Sequence, residues 1–488
     1  MDNAERNLIL PGNLRYQPTQ MKKAFGYDNL YYGLANVEIA TLETLGEIGI
    51  IPKEEMLELE PHIIEQLRAI PTTLVDQIER NVTKHDVRAW VRKAQEIVNG
   101  NLARWIHVPL TSYDSLDTGR ILQFLEAYQY ALKPSITETV KILCNLTKKF
   151  SNQLQIGRTH GQHALPITVG FWLATILNRI AYNWEQMDYY SKGLVGKISG
   201  AVGAYNAQRG LGLNERAFVQ TGQSFEELVL AKVGLKPARI STQILQPEPL
   251  GYFLFSCCML SATLGQLGRD CRHLMRTEIA EVQESFEEGQ VGSSTMPHKR
   301  NPLNFENLEG MWIRTKNEFG KVMDTLISEH QRDLVASSVA RDFPLIMINV
   351  QQQLNTLLLK DKKEIPFLQR ITINKEACEK NFKLSSHLIL DEPIYIALQM
   401  AGYPGDAHEL VNRKLVPIAQ STGQQLIEIL QQEANENSDL AEAIKRIPQE
   451  VMELFKHPEQ YTGNAEYKAI QIAEQAEKIS NKLNGKKE

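Results

Sequence analysis

The chain has 488 residues, 43% hydrophobic and 23% charged, ordinary values for a globular protein with a large core. Its net charge of −5 excludes a global basic field of the kind that gathers nucleic acid or an anionic membrane surface. The five cysteines, Cys144, Cys257, Cys258, Cys271 and Cys378, are odd in number and contain no CxxC pair; this argues against a disulfide framework or a zinc site and for buried, reduced thiols.

Residues 1 to about 112 read as short helices broken by Pro and Gly turns. The start, Met1-Asp-Asn-Ala-Glu-Arg6, lacks the basic-then-apolar pattern of a secretory leader. From about 113 to 364 helical periodicity takes over. Ile121, Phe124, Leu125, Tyr128 and Leu132 mark one helix, with a break expected at Lys133-Pro134, after which Ile142, Leu146 and Phe150 resume the pattern. Val169, Leu173, Ile176, Ile180, Trp184 and Met187 trace a second stripe. Leu250, Leu254, Cys257, Leu260, Leu264, Leu267, Cys271 and Leu274 trace a third. Trp312, Phe319, Met323 and Leu326 mark a fourth segment. The most apolar run, Phe253 to Leu264, is too short to span a bilayer, so no membrane segment is expected and a cytoplasmic location fits. Spacing close to 3.5 predicts near-antiparallel packing in an elongated bundle whose apolar face needs a cover, so self-association is expected. From 365 to 488 the helices shorten again, with breaks at Gly402-Tyr-Pro-Gly405 and Gly423. Arg370-Ile-Thr-Ile-Asn374 is about the only strand candidate. The predicted fold is all-α, in three helical domains at 1–112, 113–364 and 365–488.

The segment most suited to chemistry is the loop at 285–302, Ser285-Phe-Glu-Glu-Gly-Gln-Val-Gly-Ser-Ser-Thr-Met-Pro-His-Lys-Arg-Asn-Pro302. Its glycines and prolines stop either flanking helix, and a structureless loop of this length inside a folded domain is usually functional or disordered. Gly292 lets the backbone turn and expose N–H groups beside Ser293 and Ser294, and Lys299 adds a cation. That set suits a carboxylate, or the enolate formed when a proton leaves the neighbouring carbon. The competing reading, a Gly/Ser phosphate loop, lacks the Walker spacing.

Gly292-Ser-Ser-Thr-Met-Pro-His-Lys-Arg-Asn-Pro302 resembles the signature of the fumarase/aspartase superfamily. Thr111-Ser-Tyr-Asp-Ser-Leu-Asp-Thr118 and Gly157-Arg-Thr-His-Gly-Gln-His-Ala-Leu-Pro166 resemble its other two motifs, in the expected order. Arg15-Tyr16, Lys84-His85-Asp86-Val87, Ile240-Ser-Thr-Gln243 and the set Arg332-Asp333, Ser337-Ser338, Arg341 are similar to the adenylosuccinate lyase family within it. The resemblance implies a three-domain helical homotetramer with a common central bundle and active sites shared between chains. It implies β-elimination of fumarate from adenylosuccinate, giving AMP, and from SAICAR, the succinylated imidazole carboxamide ribotide, giving AICAR. It calls for no cofactor, no metal, no nucleic acid and no membrane partner.

The same resemblance distributes the roles. His160 is the general acid at the leaving nitrogen, and Ser293, with Ser294 as the alternative, is the base at the succinyl carbon. Lys299 and Asn301 hold the succinyl carboxylates. Arg15, Tyr16, Arg332, Ser337 and Arg341 are the phosphate and ribose contacts, and Lys84, His85 and Asp86 stand near the phosphate and the catalytic His, with His85 a further catalytic candidate. Thr111, Ser112, Thr159 and Gln243 are polar contacts to succinyl or base. His107 is a weaker candidate, since its motif also tolerates a role behind the direct contacts; His163 is expected to be supporting or without a role, and His62, His273, His330, His387, His408 and His457 structural. The chain departs from the family pattern at Pro109, Tyr113, Gln246-Pro-Glu248, Asn307 and Gln331, which bears on substrate tuning. Competing readings are an argininosuccinate lyase, a 3-carboxymuconate cycloisomerase or an inactive structural homologue.

Overall fold

A computed structural model of the chain describes residues 16–285, 295–296 and 298–485. The fold is all-α. Among the described residues helices predominate, and the named strands make three two-stranded pieces. Two compact units emerge, each assembled from three stretches: Met1–Glu138, Tyr182–Gly265 and Asn307–Leu358 form the first, and Thr139–Ala181, Gln266–Glu306 and Leu359–Glu488 the second.

The expected stripes face inward. Val169, Leu173, Ile176, Ile180, Trp184 and Met187 are buried on the helix Val169–Lys192. Leu254, Cys257, Leu260, Leu264, Leu267 and Cys271 are buried on Glu248–Leu274. An 18-residue window of that 27-residue helix has a mean hydropathy of 1.4, enough by length and composition to cross a membrane, although the run Phe253 to Leu264 by itself is too short. Its apolar stripe lies inside the protein instead. All five cysteines are free and buried, as expected.

Two expectations change. There is no break at Lys133-Pro134: helix Ser112–Ala127 runs through a wide turn, Tyr128–Leu132, into Lys133–Lys149. The Lys133 N–H reaches back five residues to the Tyr128 carbonyl, and the widened turn accommodates a proline that has no N–H to donate. On Leu303–Asp324 the buried face includes Phe305, Leu308, Met311, Thr315 and Val322, while Met323 and, just past the helix end, Leu326 from the sequence stripe are exposed.

The structure holds more strand than the sequence predicts. Leu154–Thr159 pairs antiparallel with Gln162–Thr168, with a register irregularity between Ile156 and Arg158. The expected strand near 370–374 shrinks to Thr372–Ile373, which pairs with Val282–Gln283. In the second unit the hairpin's Ile156 joins a core of Phe382, Ile389, Leu390, Ile394 and neighbouring residues of the short C-terminal helices. The hairpin is therefore mounted on a packed base. In the first unit, helices Tyr32–Glu47 and Ser112–Ala127 meet at Gly33 and Gly119; a Cβ on Gly33 would lie 2.3 Å from the Gly119 carbonyl oxygen. That approach fixes the helix whose N-terminus carries Thr111 and Ser112.

Candidate active site

In the first unit, Asp114 organises the Thr111–Tyr113 segment. One carboxylate oxygen accepts the Thr111 N–H at 2.9 Å, and the other accepts the Ser199 and Gly200 N–H groups, each at 3.1 Å, as well as the Lys197 ammonium. Both charged side chains are fully buried. Ser199 Oγ lies 2.6 Å from Ser241 Oγ, so the same network reaches the segment carrying Gln243. Gln243 Oε1 accepts an Arg332 Nη1–H at 2.7 Å, and the Gln243 N–H points at the Gln331 carbonyl at 3.4 Å. The Arg332 guanidinium lies over the Tyr113 ring, 3.5 Å from its centroid. Tyr113, Arg332 and Ser337 line a small cavity of about 120 Å³, together with Asp117, Gln246 and Pro247. Asp117 accepts the Leu245 N–H at 3.0 Å; burial pushes its carboxyl up, opposed chiefly by Arg120.

A larger cavity of about 720 Å³ in the same unit is lined by Asp86, Arg341, Arg314, Lys321 and Tyr31 among others. Burial raises the Tyr31 hydroxyl, the Asp86 carboxylate adds to the shift, and Arg341 opposes it. Arg314 lies 5.6 Å from the Tyr16 ring centroid. Lys321 is already paired, to Glu318 and Asp342, each at 2.6 Å. The cavity thus presents Arg341 and Arg314 as forks suited to an anion such as phosphate. His85 caps the helix Asp86–Val98, its Nδ1 taking the Arg88 N–H at 3.5 Å and lying 3.2 Å from the Asp86 carboxylate. Lys84 is exposed, at positive φ, with its ammonium on the Arg80 carbonyl. The His107 side chain is 11% exposed and lies against the buried Glu38, Nδ1 to Oε1 2.8 Å.

In the second unit, the hairpin turns at His160-Gly161, with φ of +53° and +79°. Two consecutive left-handed residues make the tight turn whose twist matches the strands it joins. Glycine adopts it freely and histidine is among the side chains that tolerate it. Thr159 and His160 are exposed at this tip. Below it, Arg158 makes a two-pronged salt bridge to the buried Glu281, with distances of 2.6 and 3.2 Å. Glu281 also accepts from Gln155 and Asn381, each at 2.8 Å. Arg158 therefore anchors the hairpin. His163 Nδ1 lies 2.8 Å from Ser385 Oγ; burial, then Arg158, pushes its imidazole pKa down and favours the neutral ring.

Glu284 accepts the Asn304 N–H at 2.9 Å, the Asn304 amide at 3.1 Å and the Phe305 N–H at 3.0 Å, tying the chain before the signature loop to the start of Leu303–Asp324. Carboxylates at helix N-termini are favoured by the unpaired N–H groups there. Lys299 is exposed, with its N–H on the Met296 carbonyl at 3.0 Å, and Asn301 is half-buried. Ser293, Ser294 and Arg15 lie outside the described residues, as does most of the loop at 285–302.

The structure therefore brings Tyr113, Arg332 and Ser337 to one cavity, with Gln243 hydrogen-bonded to Arg332, and Asp86 and Arg341 to another in the first unit. Thr159, His160, Lys299 and Asn301 belong to the second. Sequence reasoning missed Arg314, Glu281 and the Asp114–Lys197 pair, none of which lies in a pattern that reveals its partner. In the sequence Tyr113 stands out only as a departure from the family pattern.

A family model described as Lyase matches residues 34–315. The chain is 33% identical to the adenylosuccinate lyase of Pyrococcus abyssi over 462 residues, covering 94% of this chain and 95% of that one. It is 31% identical to the Bacillus subtilis adenylosuccinate lyase over 385 residues, covering 79% and 83%. The chain belongs to the adenylosuccinate lyase family. Among solved structures, the 3-carboxy-cis,cis-muconate lactonizing enzyme of Pseudomonas putida superposes with a TM-score of 0.76 at 22% identity, covering 96% of this chain and 99% of that one. At that identity the likeness is one of fold. For an adenylosuccinate lyase family member, the departures now have surroundings. Tyr113 lies under Arg332, Gln246 lines the smaller cavity, and Asn307 accepts the Thr356 hydroxyl at 3.0 Å. Pro109 follows a cis peptide bond.

Proposed function

We propose that this chain is a carbon–nitrogen lyase that cleaves adenylosuccinate to AMP and fumarate, and SAICAR to AICAR and fumarate, in purine nucleotide biosynthesis. The observation that carries this reading is the end-to-end similarity to adenylosuccinate lyases at about one-third identity. That similarity does not favour the argininosuccinate and carboxymuconate readings.

Ser293 removes a proton from the succinyl carbon next to a carboxylate, and Lys299 and Asn301 steady the charge that builds there. The C–N bond breaks, the electron pair moves to the departing nitrogen, and His160 protonates it. Arg341 and Asp86 line a cavity large enough for a nucleotide end, and Arg332 with Gln243 supplies a second polar cluster. Arg15, Tyr16, Lys84, His85, Thr111, Ser112, Thr159 and Ser337 complete the substrate contacts in this reading.

The same proposal includes a homotetramer with active sites shared between chains, in the cytoplasm. Tyr182, Tyr189, Tyr252, Phe255, Met259, Ile313 and Met323 are exposed on the long helices of the single chain, apolar side chains suited to burial in an assembly. Fumarate release should occur with adenylosuccinate and not with argininosuccinate, and carboxymuconate should give no lactone; fumarate from argininosuccinate alone would defeat the assignment. Mixing inactive His160→Asn and Ser293→Ala chains by dissociation and reassembly should restore part of the activity. No recovery in verified mixed tetramers would argue against shared sites.

A further inference from the structure

We propose that Tyr113 is a positioning residue for Arg332 and, through it, sets how tightly the chain holds the anionic nucleotide part of its substrate. This rests on the reading of Arg332 as a substrate contact. Arg332 Cζ stands 3.5 Å from the Tyr113 ring centroid, against 5.0–5.6 Å for four other cation–ring approaches in the chain. The ring is only 9% exposed, so packing holds it in place. One face of the guanidinium rests on the ring, and one edge is taken by Gln243 Oε1 at 2.7 Å. A planar fork fixed on one face and one edge has its remaining N–H groups aimed before substrate arrives.

Neighbouring groups leave that arrangement undisturbed. Asp117 is the carboxyl whose charge is felt from Arg332, but it accepts the Leu245 N–H, and Arg120 lies 3.7 Å from it. The Gln331 carbonyl and the Ser199–Ser241 contact hold Gln243's segment from the other side. Tyr113 also stands directly after Thr111 and Ser112, whose helix start is fixed by Asp114. A small side chain at 113 leaves the guanidinium face unsupported and lets Arg332 sample other rotamers. Substrate binding must then select the competent one, which weakens apparent affinity without altering the chemical step.

The test uses the full-length enzyme and reads KM and kcat for adenylosuccinate, the inhibition constant of AMP, and thermal stability. Tyr113→Ser should raise KM and the AMP inhibition constant together by about tenfold, with kcat little changed. Tyr113→Phe keeps the ring and should match the native enzyme. Tyr113→Leu keeps the bulk without the π face and should behave like Tyr113→Ser, which preserves the test if the serine variant folds poorly. In an Arg332→Ala background, Tyr113→Ser should add nothing. A raised KM in Arg332→Ala with an unchanged KM in both Tyr113→Ser and Tyr113→Leu overturns the proposal alone, as does an additive effect in the double variant. An unchanged KM in Arg332→Ala overturns the underlying reading of Arg332 itself.

Discussion

Replacing His160 by Asn is expected to lower kcat by about 10²–10⁴-fold, the usual range for removing a positioned general acid, with little change in substrate binding. Asparagine is the informative substitution because of the backbone. His160 sits at φ +53° in a two-residue turn, a conformation that Asn adopts readily and Ala does not. The hairpin beneath is held by Glu281, Arg158, Gln155 and Asn381, and its Ile156 is packed into the C-terminal core, none of which the substitution touches. Equal melting temperatures with lost turnover would place the defect in proton transfer. Near-native turnover would remove His160 from the mechanism. The position makes chemical sense: an exposed imidazole at the tip of a stiff hairpin is presented outward, whereas His163, three residues on, is turned to Ser385 and held toward its neutral form.

Asp114→Ala is expected to destabilise the chain by about 3–5 kcal/mol, because it leaves the Lys197 ammonium buried without its counter-charge. It also strips partners from the Thr111, Ser199 and Gly200 N–H groups. Lys197→Met should cost less, since the Asp114 carboxylate would keep those three donors. The ordering, read from melting temperatures, separates a network centred on the carboxylate from one centred on the ammonium; a larger loss in Lys197→Met would reverse that assignment. Activity should fall in Asp114→Ala even where the protein stays folded, because Thr111, Ser112 and the Ser241–Gln243 segment lose their common anchor.

Much of this was legible in the sequence because it depends on short-range pattern. Period-3.6 stripes such as Val169 to Met187 and Leu254 to Cys271 face the core as their spacing dictates. Three of the four catalytic and clamp positions named from the central motifs, His160, Lys299 and Asn301, fall at a hairpin tip or just before a helix start, and the fourth, Ser293, lies outside the described residues. What sequence did not reveal depends on pairing at long range. The hairpin at Leu154–Thr168 has too little polar–apolar alternation to read as strands, and its stability comes from Glu281 and residues of the C-terminal helices. The helix through Pro134 continues because a wide turn, invisible to a propensity argument, takes up the missing N–H. Met323, on Leu303–Asp324, and Leu326, just past its end, are apolar yet exposed, so apolarity alone misplaced the core face. Tyr113 looked like a departure of unknown meaning until Arg332, more than two hundred residues away, was found lying on its ring.

The most direct measurement is a time course of the purified chain with adenylosuccinate alone, following AMP and fumarate together. The account predicts equimolar appearance of both, with no added metal or cofactor, and loss of both in His160→Asn. A purified, folded protein that leaves adenylosuccinate intact, or releases AMP without fumarate, would contradict it.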